Sequence, residues 1–88
     1  MEDIHFPNQL KKYRAIHGLT QTQVANVLGF SNVTRIGQWE KGHAIPGFVN
    51  LLKLSILYDA HLPELYSDIF QELKSDIQQR RGELFLMV

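Results

Sequence analysis

The stretch "GLTQTQVANVLGFSNVTRIGQWEKG", residues 18–42, decides the fold. Gly18, Gly29 and Gly42 divide it into two short segments, each with apolar residues at helical spacing. In the first, Thr20 and Gln23 fit a capping box: the Thr20 hydroxyl accepts the Gln23 N–H, and the Gln23 amide reaches back to Thr20. Val24, Ala25, Val27 and Leu28 supply its buried side and Gly29 stops it, which makes a second helix over about residues 20–28. Ser31 or Asn32 can cap a third helix, over about residues 32–41, in which Val33, Ile36 and Trp39 or Glu40 fall three to four apart. A turn this short cannot lay the two helices antiparallel over a long contact, so they cross steeply. Ala25 is small where the backbones approach, and Ile36 and Trp39 pack back on Val24 and Leu28. The second helix therefore holds the third at a fixed angle.

Working outward, Pro7 suits a first helical turn. Leu10, Tyr13 and Ile16 or His17 continue at helical spacing to Gly18, giving a first helix over about residues 7–17. Pro46 opens a fourth helix, with Val49, Leu52 and Ile56 on one face and Leu51, Leu54 and Tyr58 widening it. Pro63 opens a fifth, where Leu65, Ile69, Leu73 and Ile77 form a stripe flanked by Tyr66 and Phe70. It runs to about Arg81, and Gly82 ends it. The expected fold is all-α, five helices, with an extended C-terminal helix and a short apolar tail, "LFLMV" (residues 84–88). Residues 1–62 form the core unit and residues 63–88 the C-terminal helix and tail.

A chain of 88 residues, 44% hydrophobic and 20% charged, holds one small core. It has no cysteine, hence no disulfide framework or thiolate metal site. No apolar run approaches the roughly 20 residues that span a bilayer. The opening "MEDIHFPNQ" lacks an apolar signal segment, and a cytoplasmic protein without membrane attachment is expected. His5, His17, His43 and His61 are scattered over different elements, so no metal site is expected. No glycine-rich phosphate loop, nucleophile motif or paired carboxylates suggest catalysis, and nothing calls for a cofactor. Net charge is zero but unevenly spread. Between residues 4 and 53, Lys11, Lys12, Arg14, Arg35, Lys41 and Lys53 face only Glu40, a balance of +5. Residues 54–88 balance at −3, with Glu2 and Asp3 supplying the rest. The basic half contains the two crossing helices, where an anionic partner would meet them.

Gln21, Ala25, Gly29, Ile36, "WEKG" (residues 39–42) and Pro46, in this order and spacing, resemble the phage-repressor-like, Xre-type helix-turn-helix family. The resemblance covers roughly residues 10–66, including "LPELY" at its end. It implies a small five-helix DNA-binding domain, usually dimeric, that sets its third helix in the major groove. One departure is an extra residue at the start of that helix, in "SNVTRIGQ", read as a variant turn.

That resemblance gives Gln21 a backbone phosphate, bound through its amide or main-chain N–H at a helix N-terminus. The third helix carries Asn32, Thr34, Arg35 and Gln38 on a polar face. Thr34 and Gln38 lie one turn apart and project together as the leading base readers, while Arg35 suits guanine or phosphate equally. Val33 is apportioned to the core or a thymine methyl. Gly37 implies a close approach of DNA or of the second helix. Lys41 and His43, with Asn50, suit phosphates further along the strand. Arg14 is both a candidate backbone contact and a candidate partner for Glu40.

The stripe beyond Tyr66 is wider than one small core needs, which points to a homodimer through about residues 66–80. The tail is read as a strand across the dimer, an anchor on the core or a docking segment. The leading expectation is a sequence-specific regulator of transcription binding double-stranded DNA, in its simplest form a repressor on a palindromic operator. The alternative is the antitoxin of a toxin–antitoxin pair, whose C-terminal third binds the toxin. A third reading is an interaction adaptor that keeps the shape without binding DNA.

Overall fold

A computed structural model describes residues 5–86. Six helices follow one another: α1 (Leu10–Ile16), α2 (Gln21–Leu28), α3 (Thr34–Glu40), α4 (Phe48–Tyr58), α5 (Leu62–Leu65) and α6 (Ser67–Leu86). No strand occurs among the described residues. The all-α class holds, with one helix more than expected because the fifth is broken at Tyr66.

The capping box at the start of α2 is present in both directions, with Gln23 N donating to Thr20 Oγ1 at 3.1 Å and Thr20 N to Gln23 Oε1 at 2.9 Å. Gly29 ends α2 at φ +85°, a left-handed conformation that most side chains resist. Val24, Ala25 and Leu28 from α2 meet Ile36 and Trp39 from α3 in one core with Leu10, Leu54, Tyr58, Ala60, Leu65 and Tyr66. Phe30, in the turn, packs edge-on against Trp39 with ring centroids 5.7 Å apart.

Several expected details are corrected. The first helix starts at Leu10 and not at Pro7, because Asn8 forms a competing local turn: its Oδ1 accepts the Leu10 N–H at 3.0 Å. Ile16 and Val27, each 63% exposed, lie off the buried stripes of their helices. In α4 the buried face is Leu54 and Tyr58 with half-buried Leu51, while Val49, Leu52 and Ile56 face solvent. That helix is apolar almost all round, so its periodicity does not choose a side. Pro63 sits in the first turn of α5 as read, but α5 stops at Leu65, where Tyr66 leaves helical geometry at φ −126°, ψ 52° and turns its ring into the core. α6 then continues through Gly82 to Leu86. A single glycine in an exposed helix costs only about 1 kcal/mol, too little to end it. The tail is accordingly helical over residues 84–86 and not a strand there; Met87 and Val88 lie outside the described residues.

Candidate nucleic-acid interface

The third helix is held from behind by charge and hydrogen bonds. Glu40, at its last turn, accepts Arg14 Nε at 2.6 Å, Arg14 Nη2 at 3.1 Å and Gln21 Nε2 at 3.0 Å. Arg14 Nη1 also donates to the Leu19 carbonyl at 3.0 Å. α1, α2 and α3 are thereby pinned at one carboxylate whose side chain is 5% exposed. The hydrogen bonds from Glu40 raise the pKa of Arg14 above the ordinary guanidinium value, so its charge is permanent. A second clasp closes the far end: Asn8 Nδ2 donates to the Trp39 carbonyl at 2.9 Å, and Phe6 N donates to the Gly42 carbonyl at 2.8 Å. Gly42 has φ +77°, and a Cβ there would stand 2.7 Å from the Phe6 carbonyl oxygen. Glycine is therefore required on two counts.

With Ile36 and Trp39 turned inward, the opposite side of α3 presents Thr34, Gly37, Gln38 and Lys41, at the i, i+3, i+4, i+7 spacing of one helix face. Thr34, Gln38 and Lys41 are exposed. A Cβ added at Gly37 would meet nothing within 4 Å, so no packing against α2 explains this glycine, contrary to one of the two expectations. His43 lies just beyond the helix with Nδ1 3.1 Å from Gln38 Oε1. Because Oε1 only accepts, this contact needs the proton on Nδ1, and it leaves the Gln38 amide hydrogens free to face outward.

Arg35 projects from the flank of that face, its guanidinium 4.9 Å from the centre of the Phe30 ring. Asn32 is exposed and caps the start of α3 through Oδ1, which accepts the Thr34 N–H at 3.0 Å. Arg35 and Asn32 share a hollow of about 530 Å³ with Ser31 and Lys53, and no acidic residue lines it. Gln21 stands apart from the others: it is half-buried, with its amide nitrogen engaged by Glu40. The first-turn main-chain N–H groups of α2 have no partners inside the helix and point outward. Val33 is half-buried against the core.

Two residues escaped the sequence reading. Asn8 has no periodicity to flag it. Lys53 counted only as a charge, yet its Nζ donates to the Leu28 carbonyl at 3.3 Å, at the negative end of α2. Of the six cations in the basic half, Arg14 and Lys53 thus serve the fold, whereas Lys11, Lys12, Arg35 and Lys41 are exposed. Among the described residues no group of His, Asp and Glu is gathered as a metal ion would require, and no helix is long and apolar enough to cross a membrane.

A family model described as Helix-turn-helix matches residues 10–65, and the chain belongs to that Xre-like family. It is a DNA-binding regulator of transcription in the general sense, in a family whose domain is not typically enzymatic. Comparison with curated proteins and with solved structures gave no match.

Proposed function

We propose that this protein binds a palindromic DNA operator as a homodimer, α3 of each copy lying in the major groove, and in the simplest case represses the promoter it covers. The observation that carries the reading is the outward face of Thr34, Gly37, Gln38 and Lys41 on a helix locked from behind at Glu40. Thr34 and Gln38 read base edges. Gln38, with its carbonyl engaged by His43, offers its amide hydrogens to acceptors such as guanine O6 or N7. Lys41 and His43 hold the phosphates next to it, and Arg35 and Asn32 serve the flank at the start of α3. Gln21 contributes its main-chain N–H to a phosphate, since its side chain is engaged by Glu40. Residues 1–62 read DNA and residues 63–88 join the copies, in the cytoplasm.

The antitoxin alternative shares the DNA-binding half and differs in what α6 binds. Co-purification with a small partner protein supports it.

The test is selection of bound duplexes from a random pool at two salt concentrations. A roughly palindromic motif with half-sites about one helical turn apart supports the reading. Salt-sensitive binding without a motif removes the specific regulator and leaves general DNA affinity. Absence of binding at both salts transfers the weight to the adaptor reading.

A further inference from the structure

α6 begins inside the domain and ends outside it. Tyr66, at its root, is buried and Ile69 half-buried, whereas every residue over 70–86 is exposed. The apolar stripe nevertheless continues along the exposed part through Phe70, Leu73, Ile77 and Leu84, at helical spacing on one side. Leu73, Ile77 and Leu84 are 57%, 60% and 63% exposed, so nothing in the domain covers them. The domain measures 53 Å along its longest axis against 21 Å along its shortest, as expected of a body with an arm. An unsupported helical arm of this length is marginal in water and gains its stability from packing.

At the foot of the arm lies an apolar groove of about 380 Å³. Ile45, Leu51, Leu62 and Pro63 line it from the body, and Phe70 and Leu73 from α6. Phe70 and Leu73 therefore belong both to the groove and to the stripe, which puts the body on the stripe's own side of α6. Charge is divided along the same line. The root region carries Glu64, Asp68 and Glu72 with no base, and the arm carries Lys74, Arg80 and Arg81 against Asp76 and Glu83.

We propose that two copies exchange arms: α6 of one lies antiparallel along α6 of the other, with Ile77 near the two-fold axis and Leu84 of each seated in the groove of its partner. The proposal rests on the homodimer reading and adds its geometry. A parallel pair is opposed by shape, because both bodies sit on the stripe's side at the root and would claim the same space. It is opposed by charge as well, because the acidic roots would lie side by side. The antiparallel pair sets each basic arm against an acidic root and each apolar arm over an apolar groove. The contact is isologous and closes as a two-fold dimer.

The test uses cysteines introduced into the full chain, which has none of its own. Phe70 and Leu84 are each seven residues from Ile77, so they face one another across the exchanged pair. Mixed Phe70→Cys and Leu84→Cys chains should form a disulfide, which needs Cα atoms within about 7 Å. Leu84→Cys alone should not, its two copies lying roughly 20 Å apart at 1.5 Å per residue. Ile77→Arg should raise the dimer dissociation constant in sedimentation by about tenfold or more. Ready self-linking of Leu84→Cys would show parallel helices and overturn arm exchange while keeping the homodimer. A dimer that forms neither disulfide overturns it too. A monomer at tens of micromolar overturns both the exchange and the homodimer, and leaves DNA recognition to be judged by the duplex selection.

Discussion

Arg14 and Glu40 form a two-pronged ion pair across the domain, 26 residues apart in sequence, with nitrogen–oxygen distances of 2.6 and 3.1 Å. The pair ties the first helix to the end of the third, and Gln21 joins it from the second. With Glu40 5% and Arg14 16% exposed, neither charge has water to fall back on. Arg14→Ala leaves a buried carboxylate with only an amide for company. Removing one partner of such a pair costs about 3 kcal/mol. Urea unfolding of the variant checks this, and a loss below about 0.5 kcal/mol, typical of a surface pair, would mean that other contacts hold α3.

Gly37 offers a test in which stability and binding move in opposite directions. A methyl group there meets no protein atom within 4 Å. Alanine in a helix interior is favoured over glycine by about 1 kcal/mol, so Gly37→Ala should raise the melting temperature. The same methyl lies between Thr34 and Gln38 on the proposed DNA-facing side and should weaken operator binding by about tenfold, equivalent to about 1.4 kcal/mol. Calorimetry and fluorescence anisotropy read the two effects separately. Stabilisation at unchanged affinity would mean that DNA does not approach α3 so closely.

Tyr66 places its hydroxyl in the interior with no hydrogen-bond partner. An unsatisfied buried hydroxyl costs about 1 kcal/mol or more, and phenylalanine has the same shape without it. Tyr66→Phe should therefore stabilise the domain by about 1 kcal/mol in denaturant unfolding. A loss of stability would show that the hydroxyl has a partner after all.

Alkaline titration should expose the same burial. Desolvation pushes Tyr58 and Tyr66 from the ordinary 10 up to about 12. Between these values the unfolded chain releases protons that the folded one keeps, so stability is intact below pH 10 and falls as pH rises toward 12. Melting temperatures followed by circular dichroism should drop over that window, with phenolate absorbance from these two residues appearing only as the fold is lost. Tyr66→Phe should flatten part of the drop. Free ionisation of both tyrosines in the folded protein would contradict the packing around them.

Much of this was legible beforehand where chemistry is local. Thr20 and Gln23 announce a helix start by their spacing, and Gly29 marks the turn that follows. Arg14 was a candidate for Glu40, and Thr34 and Gln38 do share an exposed face. What was not legible depends on packing across the chain. Val49, Leu52 and Ile56 repeat as regularly as the residues that are buried, and only the surrounding helices decide between the two faces. Nor does spacing reveal that Gln21 turns its amide to Glu40, or that Tyr66 breaks the last helix by entering the core.

α6 is one unbroken helix of 20 residues, which makes its length a mechanical setting. In a two-fold pair joined through such helices, each inserted residue shifts one reading head by about 1.5 Å along the helix and rotates it by about 100°. Operator half-sites have a fixed separation and a fixed phase around the duplex. An insertion in the arm would therefore detune both at once, even with every DNA-facing side chain intact. The arm acts as a gauge: it selects among operators by their spacing, a property that no residue of α3 can read.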